Sequence, residues 1–199
     1  MIRASDHDIF MNNMSTLKET SVDKRDPKNI PIKYMTESNI QVINFDGVKN
    51  DYIKKMGLKQ TPNSVDALYI GINGRVVFIE FKSGSIKKWE IKGKIYHSVF
   101  IFSDIAKVGI SEMRRNVDYV LVANEDKIPS VETDKNHHVQ PSESHDALAK
   151  SIGKFGAIKY SPFGLSDTFE GYCFRHVDVL TKSEFENYIS NGFSEGQRI

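Results

Sequence analysis

The period at which apolar positions recur changes along the chain, and each change marks an element. Val65 to Ile70 and Val76 to Lys82 are short runs rich in Val, Ile and Phe, the pattern of buried strands. Between them, Gly71-Ile72-Asn73-Gly74 contains Asn-Gly, a strong short turn signal. Ser83-Gly84-Ser85 breaks the second run. From about Ile86 to Ile105, the residues Ile91, Ile95, Val99, Phe102 and Ile105 recur at helical spacing and predict a helix with one core stripe. Trp89 and Tyr96 on that helix are expected to pack against the sheet, with stacking on bases, as aromatics do in single-strand binders, as the alternative. Asp118 to Ala123, with the run Tyr119-Val120-Leu121-Val122, predicts a strand suited to parallel pairing after a helical crossover. Strand, turn, strand, helix, strand is the order of an α/β fold, with a mixed central sheet flanked by helices.

The flanks are less regular. Residues 5–20 predict a short amphipathic helix with Ser5 as N-cap and Ile9, Phe10, Met14 and Leu17 on one face. Residues 21–31 are polar and end at Pro31. On this reading residues 1–30 are an N-terminal helix and linker, and 31–199 are a single domain. Ile40 to Phe45 predicts a strand, and Gly47 to Met56 a helix closed by Gly57. Asp126 to Asp146 is polar, without periodicity, and reads as an insertion. A helix from His145 to Lys154, a strand from Tyr172 to Thr181 and a helix from Lys182 to Ser190 complete the expected order.

Composition narrows the class. The chain has 199 residues, 39% of them hydrophobic and 27% charged, enough for one domain with its own core. The net charge of +1 leaves any argument for a nucleic-acid partner to the placement of charge. One cysteine, Cys173, permits neither an internal disulfide nor a cysteine zinc site and suits a reducing cytosol. Its neighbours Tyr172 and Phe174 suggest a buried thiol. No run approaches the ~18 apolar residues of a membrane span, and the N-terminus lacks a signal peptide's apolar run. A cytoplasmic protein with no membrane contact is expected. No GxxxxGK[ST] loop is present, which argues against ATP hydrolysis.

Candidate chemistry enters with three charged residues in the central strands. Glu80 and Lys82 are two apart in a strand and therefore project to one face, with Ile79 and Phe81 on the other. A carboxylate and an ammonium in an apolar strand are costly to bury without partners. If Asp66 joins them, two carboxylates and an ammonium converge, a set suited to a hard divalent cation such as Mg²⁺ or Mn²⁺. A cation held there polarises a phosphate and lowers the pKa of a water, while Lys82 stabilises developing charge.

At these residues the chain resembles the PD-(D/E)XK (restriction-endonuclease-like) nuclease superfamily. The matching stretch is Val65-Asp66 through Glu80-Phe81-Lys82, followed by a helix and a strand, within residues 40–125. Val65 stands where the motif has proline, and the nearest proline is Pro62. The resemblance implies a Mg²⁺- or Mn²⁺-dependent nuclease acting on DNA in bacterial or phage defence or repair. It implies Asp66, Glu80 and Lys82 as catalytic residues and Asp66 and Glu80 as metal ligands. A homodimer would fit enzymes that cut both strands. Many members add an acid from an earlier helix; Glu37 is the first candidate here, with Asp46 and Asp51 behind it. Two alternatives stay open: an idle member of this fold that binds nucleic acid or a protein, and an unrelated α/β protein in which Glu80 and Lys82 form only an ion pair.

The turn supplies a test. A two-residue Asn73-Gly74 turn would set Asp66 opposite Phe81 and aim it away from Glu80. The site therefore requires an odd-length loop or a bulge, and a three-residue loop with Gly74 left-handed meets that need. Elsewhere, eight basic residues stand against three acidic ones from Lys82 to Arg115, so Lys87, Lys88, Lys94 and His97 are candidate nucleic-acid contacts, and Lys94 and His97, one turn apart, could also face the site. His137, His138 and His145 lie in the polar insertion without a zinc-site pattern.

Overall fold

The computed structural model describes residues 2–23, 32–129 and 161–193. Six strands form one mixed sheet in sequence order: β1 (Met14–Thr16), β2 (Gln41–Asn44), β3 (Ala67–Ile70), β4 (Val76–Lys82), β5 (Val117–Ala123) and β6 (Val177–Thr181). β1 to β4 are antiparallel neighbours, and β4, β5 and β6 run parallel. The change of direction follows from the connections. β3 returns through a tight loop, whereas β4 reaches β5 only after α4 (Lys88–Ala106) and α5 (Ile110–Asn116).

Each face of the sheet is buried. On one, Leu68, Val76, Phe78, Tyr119 and Leu121 pack against α4 through Ile91, Ile95, Val99 and Phe102, and against α3 (Phe45–Met56) through Phe45 and Val48. On the other, Ala67, Tyr69, Val77, Ile79, Phe81, Val120 and Val122 pack against Phe185 and Ile189 of the helix Lys182–Gly192. Strands covered on both sides must be apolar at almost every position, as the central runs are. The stripe read from the sequence is therefore the buried face of α4.

The β3–β4 loop has the required parity. The Gly71 N–H donates to the Arg75 carbonyl at 2.8 Å, so the ladder closes around Ile72, Asn73 and Gly74. Gly74 has φ 79°, a left-handed conformation that glycine adopts without strain. Ala67 then pairs with Ile79 and Leu68 with Phe78. One step further along this register, Asp66 stands opposite Glu80.

Several elements differ from the sequence expectation. The helix expected over 5–20 is instead α1 (Asp8–Met11), strand β1, and α2 (Leu17–Thr20). The Asn13 side chain ends the first helix by donating to the Ile9 carbonyl and to Asp51. Thr16 and Glu19 then form a capping box that restarts it. The three residues of β1 become a strand because β2 offers them an edge, which no local pattern records. The last strand is shorter than Tyr172–Thr181: Gly171 has φ 71°, and the chain turns through Tyr172 and Cys173 before β6 begins. Cys173 is buried as expected, though in that turn, and burial raises its thiol to about 11. α5 was not expected. The polar insertion with its histidines falls mostly, and the helix expected over 145–154 wholly, outside the described residues. Among the described residues, no helix is long and apolar enough to cross a membrane.

Candidate active site

Glu80 is fully buried near the C-terminal end of β4, on the face covered by α4. Lys94, on α4, donates from Nζ to Glu80 Oε1 at 2.7 Å and lies 3.7 Å from Asp66 Oδ1. Lys82 Nζ is 3.7 Å from the same Glu80 oxygen. Asp66 enters just before β3, and its Oδ2 accepts the Phe81 N–H at 2.7 Å, bridging from one strand to the next. The residues Asp66, Glu80 and Lys82 thus meet at one point, and Lys94 stands between the two carboxylates.

α4 also fixes the approach to Asp66. Ser98 Oγ accepts the Val65 N–H at 3.0 Å, and His97 Nδ1 accepts the Asn63 N–H at 3.0 Å. Lys94, His97 and Ser98 lie within about one turn of the helix, so one rigid element sets both the leader to β3 and the ammonium over the carboxylates. His97 serves here as a backbone acceptor. Lys87 pairs with Glu90 at 3.4 Å at the start of the helix, and Lys88 is exposed beside it.

The electrostatics follow from burial. Glu80 is raised to about 8, first by loss of water, then by the charge of Asp66; Lys94 and Lys82 oppose the shift. Burial acts against the Lys94 ammonium, but Glu80 and Asp66 outweigh it, so its pKa lies above the ordinary lysine value. Glu80 Oε2 has no hydrogen-bond partner among the described residues, and neither does the hydroxyl of the fully buried Tyr119. Tyr119 lies on the same face of the adjacent strand. Its phenol is raised well above its usual value by burial and by the charges of Glu80 and Asp66.

Glu37, the first candidate for an upstream acid, stands apart from Asp66 and Glu80. Glu37 pairs with Lys18 at 2.7 Å and its side chain is largely exposed. It lines an open groove with Ile40, Glu186 and Ile189, beside the helix that covers the opposite face of the sheet. The reason is topological: Glu37 precedes β2, and the chain crosses to the Glu80 side only at α3. Of the two acids on that helix, Asp46 accepts a hydrogen bond from Ser64, two residues before Asp66, and holds Lys49 at 3.0 Å. Its charge contributes to the raised pKa of Lys94. Asp51 instead accepts from Asn13. The sequence signal for Asp46 was its place in the first turn of a helix leading out of β2.

Compared with known protein families, with curated proteins and with solved structures, the chain matches none.

What the site can do therefore rests on its donors. Two carboxylates, one with an unpartnered buried oxygen, are hard oxygen ligands that fit Mg²⁺ or Mn²⁺. Among the described residues, no cluster of three or more His, Cys, Asp or Glu side chains is grouped to hold a metal. A cation at Asp66 and Glu80 would complete its shell with water or substrate oxygens, which is the ordinary habit of Mg²⁺.

Proposed function

We propose that this chain is a metal-dependent nuclease of the PD-(D/E)XK type, hydrolysing phosphodiester bonds in DNA. The observation that carries the reading is the convergence of Asp66 and Glu80 with the ammonium groups of Lys82 and Lys94. An ion pair serving stability alone needs one cation and one anion. A strand, a pre-strand residue and a helix all delivering charge to one point costs desolvation that a smaller apolar set would avoid.

Asp66 and Glu80 would hold the Mg²⁺ or Mn²⁺ ion, which supplies Lewis acidity toward a phosphate oxygen and a more acidic bound water. Lys82, partly exposed, is placed to bind a phosphate oxygen and stabilise the charge that develops in the transition state. Lys94 holds the two carboxylates in a fixed relation, and a bound cation would compete with its ammonium for their charge. Asp46 orients Ser64 and so the entry to Asp66.

The test is incubation of the protein with plasmid, linear DNA and RNA, with Mn²⁺ or with EDTA, beside Glu80→Ala and Lys82→Ala. Cleavage that needs Mn²⁺ and disappears in both variants supports the proposal. Cleavage that survives in Glu80→Ala removes it. Assays across protein concentration test whether a homodimer is the cutting form. A non-catalytic reading, in which the same fold only binds nucleic acid, is favoured by one observation: Lys94 and Lys82 already balance both carboxylates. Binding without cleavage under Mn²⁺ would select it.

A further inference from the structure

The core stripe of α4 faces the sheet, so the residues opposite it face outward. Trp89, Tyr96 and Phe100 are 69%, 39% and 66% exposed, and their spacing of seven and four places them on one line along the helix. This overturns the expectation that Trp89 and Tyr96 pack against the sheet. Among the described residues, Tyr96 has a partial support, an edge contact with Phe169 at 5.2 Å. Gly93 lies on the same line between Trp89 and Tyr96, and among the described residues a Cβ there would meet nothing nearer than Asn63 Nδ2 at 3.9 Å. The aromatic line therefore has an open step in its middle.

Lysines flank the line. Lys87 Nζ lies 5.9 Å from the centre of the Trp89 ring, and Lys88 and Lys92 follow within the first turns. From Lys87 to Lys107 there are five lysines and two acids, and both acids are paired with lysines, Glu90 with Lys87 and Asp104 with Lys107.

We propose that this outward face of α4 docks single-stranded nucleic acid, with unpaired bases stacking on Trp89, Tyr96 and Phe100 and the flanking lysines taking phosphates. The proposal rests on the nuclease reading and narrows its substrate to unpaired strands. Aromatic faces stack on any base, but only where the base is not already stacked in a duplex. Phosphates are the complement of a lysine border. A second copy of the chain is a poorer occupant. Three aromatic side chains on one helix offer about 300–400 Å² between them, below the roughly 800 Å² per partner of a stable interface.

Trp89 is the chain's one tryptophan, so its fluorescence reports on this surface directly. The full-length protein is titrated in EDTA with oligothymidylate and with a duplex of equal length. The single strand is expected to quench Trp89 emission and to bind at least about ten times more tightly than the duplex. Phe100→Ala, which keeps the reporter and removes an exposed side chain, is expected to weaken single-strand binding about tenfold. Absence of quenching, equal quenching by duplex, or an unchanged Phe100→Ala variant overturns the proposal. Emission that shifts with protein concentration alone also overturns it, since a second copy then covers the face. Metal-dependent cleavage without quenching sinks this docking surface and leaves the nuclease reading intact. Quenching without cleavage in Mn²⁺ leaves the docking surface and sinks the nuclease.

Discussion

Replacing Glu80 by glutamine isolates the cost of keeping a carboxylate fully buried. Burial pushes the Glu80 carboxyl of the folded protein up to about 8, from the 4.5 of a carboxyl in water. Between these values the native state holds a proton that the unfolded state has released. Stability therefore falls as pH rises through that window: the penalty is absent below 4.5, grows through neutrality and is complete above 8. At roughly 1.4 kcal/mol for each tenfold change in proton affinity, the rise from 4.5 to about 8 sets a ceiling of about 5 kcal/mol. Partial relaxation of the part-exposed Lys94 reduces the expected value to about 2–4 kcal/mol. Glu80→Gln keeps the shape and removes the charge. It should match the wild type near pH 4.5 and exceed it near pH 8.5, by about 5–12 °C in Tm for a chain of this size. Thermal melts of both proteins across pH 4.5–9, followed by circular dichroism, measure the difference. A gap that stays constant with pH, or a variant less stable at pH 8.5, would falsify the reasoning. Either result would mean that Lys94 and Lys82 keep Glu80 ionised at ordinary acidity. Adding Mg²⁺ at pH 8.5 should narrow the gap if the wild-type carboxylates accept the ion.

Three further outcomes are expected. Lys94→Met removes the ammonium that compensates Asp66 and Glu80, so Mn²⁺ measured by isothermal titration calorimetry should bind roughly tenfold more tightly; unchanged or weaker binding would show that Lys94 and the ion do not compete. Tyr119→Phe deletes a buried hydroxyl with no partner among the described residues and should be neutral or stabilising by up to about 1 kcal/mol in urea unfolding; a loss above that would reveal a bonding partner such as a buried water. At the opposite end of β5, buried Asp118 holds Arg175 at 2.7 Å and Arg75 at 3.3 Å. Asp118→Ala should cost about 2–4 kcal/mol, the lower end because both arginines reach solvent, while leaving Mn²⁺ binding unchanged; altered metal affinity would contradict the separation of this cluster from the candidate site.

The centre of the fold was legible because its constraints are local. A strand buried on both faces has to be apolar throughout, and a helix packed by one stripe has to repeat at helical spacing. The facing of Asp66 and Glu80 was legible as a condition on loop parity, and Gly74 supplies the positive φ that meets it. The rest depended on partners distant in sequence. β1 is three residues long and exists through its pairing with β2. Glu37 and Asp46 look alike as carboxylates before a strand and within a helix; which one reaches the Glu80 face depends on the side to which β2 hands the chain. The exposure of Trp89 was readable in principle. Ile91, Ile95, Val99 and Phe102 define the buried side of α4, and that wheel leaves positions 89, 96 and 100 opposite.

That same wheel bears on the chemistry. Lys94 lies between the two stripes of α4, neither in the core nor on the outward line, at the border where a helix covers a sheet's end. A lysine there buries its stem and keeps its ammonium near solvent, which is why it can meet Glu80 while remaining part-exposed. An alanine or leucine at 94 would leave Glu80 with Lys82 at 3.7 Å as its remaining cation among the described residues. The carboxylate would then be held by a longer contact and kept more completely protonated at neutral pH. Charge at Glu80 therefore depends on a helix residue as much as on its own strand motif. The pairing of strand and helix, more than the three-residue motif by itself, makes this end of the sheet chemically distinct from the structural cluster at Asp118.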